Sequence, residues 1–207
     1  MVQVERLRSD SLGIALESLT PRNITPYTIE MIKDFEGWSA TAYDDPSGYC
    51  TVGYGHLIAL RKCESIDLGE FSKAITKERG HRLLELDTRI ARKAVEDLVD
   101  VSLNDAQFSA LSSFVYNVGE SNFSNSTLLL LLNQSDYSAA SAEFPKWVYS
   151  KKVVLTGLVT RRGCERHKYD SNIGFDYTEP FSRENCEEVL GIAGGSEFYD
   201  IETGERQ

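Results

Sequence analysis

The sequence predicts an α+β fold, mainly helical, in which a small region of strands and turns lies between amphipathic helices. Residues 38–60 combine short runs of β-branched and aromatic residues with a loop rich in Asp, Pro, Ser and Gly, which is typical of a hairpin. Apolar residues recur at helical spacing before it, over residues 26–36, and after it, over residues 76–98. At 207 residues the chain is long enough for one core or for two small lobes that share a cleft.

The helix before the hairpin is predicted to end on a carboxylate. Thr25-Pro26 is a typical helix start, because a Thr hydroxyl caps free N–H groups and Pro suits the first turn. Gly37 is a typical stop signal. Glu36 is therefore expected in the last helical turn, directly before the hairpin.

The chain after the hairpin is predicted to be mostly helical. A long helix begins after Thr76 and runs to Leu98, and a second follows a capping box at Ser102–Asp105 and ends at Gly119. The remaining predicted elements are a short helix at 68–75, helices at 127–133, 136–144 and 157–168, a loop or small hairpin at 151–156, and a short helix near 183–190.

The overall charge excludes one class of partner. Lys and Arg number 22 against 32 Asp and Glu, which gives a net charge of −10. Nucleic-acid binding needs a basic face, so no nucleic acid is expected as a partner.

No run approaches the roughly 18 apolar residues of a membrane-spanning helix, so no membrane insertion is expected. The first residues also lack the apolar core of a signal peptide, so we expect a chain made in the cytoplasm without one.

Two carboxylates and a hydroxyl are spaced so that they can face one cleft. The helix delivers Glu36, and the hairpin delivers Asp45 nine residues later and Thr51 six residues after that. A pair of carboxyl groups can catalyse acid/base cleavage of a glycosidic bond. Asp44 is the alternative to Asp45, but its place in the loop favours a turn residue.

This stretch resembles the phage-type lysozyme family, glycoside hydrolase family 24, whose signature is Glu, eight residues, Asp, five residues, Thr. The run from Thr51 to His56, TVGYGH, also fits. The match covers roughly residues 25–170, and its later parts are Phe114-Val115-Tyr116-Asn117-Val118-Gly119, Phe123 to Thr127, Trp147 and Gly157-Leu158-x-x-Arg161-Arg162-x-x-Glu165. The resemblance implies a two-lobe fold with a small β-hairpin lobe, a long connecting helix and a helical C-terminal lobe.

The domain division follows from that match. Residues 24–170 are expected to form the catalytic domain, with the β lobe at about 37–75 and the helical lobe at about 76–170. Residues 1–23 are an N-terminal extension with loose helical periodicity. Residues 171–207 are a C-terminal extension that is rich in aromatic residues, so we expect it to pack on the body.

The resemblance also implies roles for the site residues. Glu36 is the general acid, and Asp45 and Thr51 position the water in an inverting reaction. Leu57, Tyr116 and Ser126 are placed where saccharide contacts are implied. His56 is implied to be structural, pairing with an acid. Either Arg161 or Arg162 is implied to pair with Glu36, and the alignment does not choose between them.

No cofactor and no metal are expected. His81 and His167 have no metal-ligand spacing with His56, and the four cysteines contain no CxxC pair. Without a signal peptide, reduced and buried thiols are the expected state. A Cys164–Cys186 bridge that ties down the tail is the alternative if the protein works outside the cytoplasm. Four cysteines allow three connectivities, among which the sequence does not choose.

The implied function is that of a muramidase that acts on the glycan strands of peptidoglycan. The alternative is a wall-binding module that is weakly active or inactive. We expect a monomer that acts on the wall in the periplasm, either as a phage endolysin released by a holin or as an effector delivered by a secretion system. An effector would have an immunity protein as a further partner. The negative net charge is expected to slow encounter with anionic walls.

Overall fold

A computed structural model describes residues 20–171, 181–186 and 197–206 of the chain. The predicted N-terminal helical segment therefore falls almost wholly outside the described residues. None of the described helices is long and apolar enough to cross a bilayer. The described helices and strands are, in chain order, α1 Pro26–Glu36, β1 Ser39–Asp44, β2 Cys50–Gly53, β3 His56–Ala59, α2 Lys77–Leu98, α3 Asp105–Val118, α4 Glu120–Ser124, α5 Thr127–Asn133, α6 Tyr137–Ser141, β4 Tyr149–Ser150, β5 Val153–Val154 and α7 Thr156–Asp170. This order confirms the predicted α+β, mainly helical fold.

The first sheet is antiparallel and has the order β1-β2-β3. The hairpin of β1 and β2 was predicted, whereas β3 was not. β3 forms because the chain reverses tightly after β2, where Gly53 and Gly55 have φ values of 71° and 81° and give the left-handed backbone that other residues rarely adopt. The reversal lets His56 pair with Val52 and extends the sheet by one strand.

The predicted helix boundaries are mostly confirmed. Gly37 ends α1 with φ 73°, and Gly119 ends α3 with φ 86°. The Thr76 hydroxyl accepts a hydrogen bond from the N–H of Arg79 and so caps α2. Glu36 is the last residue of α1, as the position of Gly37 indicated.

Two predicted caps were wrong. The Thr25 hydroxyl lies 3.0 Å from the Thr28 hydroxyl and caps no backbone N–H of α1. The capping box of α3 is formed by Asn104 and Gln107, two residues later than the predicted box, because the Asn side chain accepts from the N–H of Gln107.

Two short elements differ from the prediction, and a third agrees with it. The expected helix at 68–75 is one 3₁₀ turn, Gly69–Phe71. The expected helix at 136–144 ends at Ser141 and is followed by a 3₁₀ turn, Phe144–Lys146, that contains Pro145, which an α-helix interior does not accommodate. The segment at 151–156, predicted as a loop or small hairpin, supplies the turn and second strand of the small hairpin of β4 and β5.

Helix α3 is the centre of the helical lobe and packs against both α2 and α7. Its residue Phe114 is fully buried and makes edge-to-face contacts with Phe123, Phe144 and Trp147, with ring centroids 5.2–6.3 Å apart. Aromatic contacts of this kind stabilise a core beyond the area that they bury. The core therefore fixes α7 relative to α3, and both helices carry site residues.

Helix α2 joins the two lobes, because it contacts β2 and β3 of the sheet as well as α3 of the helical lobe. Gly80 of α2 lies directly against the ring of Trp38, the residue before β1, because a Cβ at position 80 would overlap with that ring. The ring of Trp38 in turn lies 4.8 Å from the ring of Tyr54 in the β2–β3 turn. A glycine in the first turns of α2 therefore sets how closely the sheet sits on the helix.

Both described pieces of the C-terminal extension contact the body. Tyr199 stacks on Trp147 with ring centroids 4.8 Å apart, and its N–H donates to the carbonyl of Lys146. Cys186 is bonded to Cys164 of α7. Of the helix expected near 183–190, the 3₁₀ turn Arg183–Asn185 is described, and residues 187–190 lie outside the described part.

Replacement of Gly80 with Ala tests the packing of α2 on the sheet. In an exposed helix this change adds about 1 kcal/mol of stability. Here the new methyl group would displace the Trp38 ring, and overpacking of this kind costs about 1–3 kcal/mol. We therefore expect Gly80→Ala to lower the melting temperature by about 3–6 °C.

Gly157→Ala in α7 is the matched control, because a Cβ at that position meets nothing within 4 Å. Its melting temperature should stay the same or rise slightly. Equal behaviour of the two variants in differential scanning calorimetry would contradict the close approach at Gly80.

Candidate active site

Glu36 lies at the end of α1 with a quarter of its side chain exposed. Its Oε1 accepts a hydrogen bond of 2.7 Å from Nη1 of Arg161. Its Oε2 faces the β2–β3 turn, since a Cβ placed on Gly55 would lie 3.6 Å from it. Of the two arginines that the sequence left open, Arg161 is thus the one that pairs with Glu36. The carboxyl group is held between the hairpin lobe and α7.

A buried chain of ion pairs continues behind Glu36. Arg161 is only 4% exposed, and its Nε lies 3.2 Å from Oε1 of Glu165, which is fully buried. Arg162 lies 2.8 Å from the other oxygen of the same carboxylate. The hydroxyl of Ser113 on α3 donates to Glu165 at 2.8 Å. Two carboxyl groups and two guanidinium groups thus alternate along this chain of contacts.

The pKa values of the two arginines differ because their neighbours differ. Burial by itself lowers the pKa of Arg161, but the carboxylates of Glu36 and Glu165 more than offset it and raise the pKa above its ordinary value. Burial lowers the pKa of Arg162 to about 10, Glu165 counteracts this shift, and the positive charge of Arg161 adds to it. Both side chains are therefore cations at neutral pH, and Arg161 is a permanent donor to Glu36.

The hairpin loop distinguishes the two neighbouring aspartates. Oδ1 of Asp45 accepts from the backbone N–H groups of Ser47 and Tyr49, both at 2.8 Å, so the carboxylate closes the loop and keeps a fixed orientation. Asp44 accepts from the N–H of Cys63 at 2.7 Å, on the connection that leaves the sheet. Asp44 is the last residue of β1 rather than the predicted turn residue, and its side chain joins the end of that strand to this connection.

Thr51 lies in the middle of a row of three residues across the sheet. It pairs with Tyr43 of β1 and with Leu57 of β3, so the three side chains lie on the same face. Thr51 is 4% exposed, and its hydroxyl donates to the Tyr43 carbonyl at 3.3 Å. Tyr43 and Leu57 are 37% and 45% exposed. The two flanking side chains are thus accessible and partly apolar, which suits contact with a sugar ring, whereas Thr51 is buried between them.

Tyr116 approaches the same region from α3. Burial raises the pKa of its phenol, and the carboxylates of Glu36 and Asp87 raise it further. The phenol is thus a neutral hydrogen-bond donor close to both acids. His56 contacts Asp87 as well, with 2.9 Å between Nδ1 and Oδ2. The acid partner implied for His56 is therefore Asp87 of α2, and the pair joins the sheet to the long helix.

Ser126 has a different environment from the other implied saccharide contacts. It is 5% exposed, and its hydroxyl donates to the Phe123 carbonyl at 2.7 Å and accepts from the Leu129 N–H at 3.1 Å. The hydroxyl therefore serves as the N-cap of α5. Among Leu57, Tyr116 and Ser126, the geometry supports Ser126 least as a sugar contact.

The expectation of reduced thiols was wrong, whereas the alternative Cys164–Cys186 bridge is present. The structure holds two disulfides, Cys50–Cys63 and Cys164–Cys186, and the described residues contain no free thiol. The one cluster of metal-type ligands among the described residues consists of Asp44, Cys50 and Cys63, and both of its sulfurs are in the disulfide. The Cys50–Cys63 disulfide joins β2, which carries Thr51, to the connection after the sheet, where the Cys63 N–H donates to Asp44.

Sequence reasoning missed two site features, the central role of Glu165 and the exposed face at Tyr43. Glu165 could have been found, because Arg161 and Arg162 precede it by four and three residues, which is the spacing of ion pairs on one helix. Tyr43 depends on the strand register, which fixes the residues directly opposite Thr51.

Comparisons with known proteins agree with this geometry. The profile of the Phage lysozyme family matches residues 33–165. The endolysin of Acyrthosiphon pisum secondary endosymbiont phage 1 is 35% identical over 153 residues, which is 72% of this chain and 99% of that protein.

Two solved structures are similar over the same part of the chain. The muramidase domain of SpmX from Asticaccaulis excentricus has a TM-score of 0.63 and 29% identity, and the match covers 72% of this chain and 99% of that one. A mutant of P22 lysozyme has a TM-score of 0.61 and 31% identity, and the match covers 72% of this chain and 98% of that one.

The family profile spans well over half of the chain, and the endolysin relative is matched over nearly its whole length. A carboxyl group at a helix end, a second carboxylate in the hairpin loop and a Thr on the sheet lie within the matched region. The chain belongs to the phage lysozyme family and is a peptidoglycan-degrading glycoside hydrolase.

Proposed function

We propose that this lysozyme hydrolyses the β-1,4 bond between N-acetylmuramic acid and N-acetylglucosamine, with Glu36 as the general acid and Asp45 and Thr51 as the groups that position water. The observation that carries the proposal is the placement of Glu36. Its carboxyl group ends α1, faces the β2–β3 turn and is held by Arg161 at 2.7 Å.

In this mechanism the Glu36 carboxyl gives its proton to the oxygen of the leaving sugar. Positive charge then develops at the anomeric carbon in an oxocarbenium-like transition state. The carboxylate left on Glu36 is stabilised by the Arg161 donor, which is already in place and does not need to reorganise. Arg161 thus orients the acid before the reaction and stabilises its conjugate base afterwards.

The water attacks from the opposite face of the sugar. Asp45 is an ordered carboxylate, since the loop N–H groups of Ser47 and Tyr49 hold one of its oxygens. No described hydrogen bond involves the other oxygen, which is the group proposed to accept the proton of the water. The exposed side chains of Tyr43 and Leu57, on either side of Thr51, offer a surface for the sugar rings. We propose an inverting, single-displacement reaction.

The two disulfides support action outside the cytoplasm, because disulfides persist in oxidising compartments such as the periplasm. We propose a bacteriolytic monomer that reaches the wall there, released by a holin or delivered by a secretion system. The gene neighbourhood distinguishes these routes, since only an effector has an immunity protein beside it. The intact set of Glu36, Asp45 and Thr51 argues against an inactive binding module.

Glu36→Gln tests the general acid. The amide is nearly isosteric and still accepts from Arg161, but it has no carboxylic proton to donate. General acid catalysis contributes about 10²–10⁴-fold, so we expect turnover of purified peptidoglycan to fall by at least about 10²-fold, with an unchanged circular dichroism spectrum. Turnover close to that of the wild type in a folded variant would refute the role of Glu36.

Asp45→Asn and Asp44→Asn form a matched pair. In each variant the amide oxygen keeps the backbone hydrogen bonds of the original carboxylate, so the loop should keep its shape. Only Asp45 is proposed to act on the water. We expect a loss of at least about 10²-fold for Asp45→Asn and activity within about threefold of the wild type for Asp44→Asn. The reverse order would exchange the roles of the two aspartates.

The released products test both the bond and the stereochemistry. Mass spectrometry of the soluble fragments should find N-acetylmuramic acid at the reducing ends. Proton NMR recorded in the first minutes should find the α-anomer there, because a single displacement inverts the β-linkage. Initial release of the β-anomer would instead require retention. Amidase or peptidase products would overturn the proposed bond.

A further inference from the structure

The described tail segment 181–186, which we call the strap, lies against α1 and contacts residues of both its first and its last turn. The ring of Phe181 contacts the rings of Tyr27 and Phe35, with centroids 5.4 and 6.0 Å apart. Arg183 forms an ion pair with the side chain of Asp34, and its guanidinium carbon lies 4.6 Å from the centroid of Phe35. All three partners belong to the helix that ends at Glu36.

Arg183 also completes the hydrogen bonding of that helix end. The last four carbonyl groups of an α-helix have no partner within the helix. In α1 the Lys33 carbonyl accepts from the N–H of Gly37. The Asp34 carbonyl accepts from Nη2 of Arg183 at 2.8 Å. A cation at this position is also favoured by the partial negative charge of the helix end. The strap therefore caps the turn that carries the catalytic acid.

The other end of the strap is covalently attached to α7. Cys186 is bonded to Cys164, and Arg161 lies three residues before Cys164, about one helical turn away. The strap thus connects α1, which carries Glu36, to α7, which carries the arginine that holds it. Phe35 of α1 contacts both arginines, because the guanidinium carbon of Arg161 is 5.6 Å and that of Arg183 is 4.6 Å from its ring centroid.

We infer that the strap positions the proton donor for catalysis, with Arg183 and Phe181 as positioning residues that act through the last turn of α1. The inference rests on the proposed role of Glu36 as the general acid. A misplacement of about 1 Å costs a reaction up to about 10²-fold, so a brace on this turn affects turnover more than substrate binding. Arg183 and Asp34 are each nearly half exposed, and an ion pair this exposed contributes little to global stability.

The test is made on the full-length, oxidised chain. We expect Arg183→Ala to lower kcat about tenfold, with KM within twofold of the wild type and the melting temperature within about 2 °C. Arg183→Lys keeps the charge and a donor and should recover part of kcat. Phe181→Ala should lower kcat in the same direction. A purely structural role would leave kcat unchanged.

Arg22→Ala is the matched control. Arg22 forms the same three kinds of contact, an ion pair with Asp105, a hydrogen bond to the Leu103 carbonyl and a ring contact with Phe108, but it contacts α3 and the loop before it rather than α1. Its kcat should match that of the wild type. An equal fall in kcat for Arg22→Ala and Arg183→Ala would overturn the inference.

A double-mutant cycle separates this inference from the proposed function. If the strap acts through Glu36, Arg183→Ala should have no further effect on the residual activity of Glu36→Gln. An equal fall in both backgrounds, or no fall in the wild-type background, would overturn the positioning role. Wild-type turnover by Glu36→Gln would instead refute the proposed function.

Discussion

The active-site geometry depends on the ion pair between Glu36 and Arg161, and that pair depends on Glu165. Removal of two guanidinium groups and a carboxylate from water is costly, and the attraction between them compensates only when geometry and hydrogen bonding are good. Here the Ser113 hydroxyl and both arginines surround the buried carboxylate. Because Ser113 belongs to α3, this core helix fixes the Glu165 carboxylate and, through it, the two arginines. Helix α7 then places Arg161 next to the end of α1. The proton donor is oriented by the packing of the helical lobe.

The local part of this arrangement could be predicted from the sequence, whereas the arginine partner could not. Glu36 and Asp45 lie within one short stretch, where a stop signal and a turn-rich loop fix the local structure. Arg161 and Arg162 are consecutive helix residues that point about 100° apart. Which of them reaches Glu36 depends on the rotation of α7 against α1 and α3, and that rotation is set by tertiary packing.

The wrong sequence predictions have a related cause. Several residues can serve as a cap near a helix start, and Thr25 shows that a suitable residue can bond a neighbouring side chain instead of the backbone. Asn104 replaces the predicted cap because α3 begins two residues later than the pattern suggested. The disulfides depend on contacts between distant segments and on the redox compartment, and neither is encoded in local spacing. Strand β3 was missed because it depends on pairing with β2.

The boundary of the family match differs from the boundary of the folded unit. The matched region ends at residue 165, but Cys164 within it is bonded to Cys186 beyond it. Tyr199 stacks on Trp147, a buried residue of the main core. The two described pieces of the extension thus contact different parts of the body, one at the helix that carries Glu36 and the other at the core aromatics. The region of sequence similarity contains the residues proposed to act in catalysis, whereas residues that contact the same helices extend beyond it.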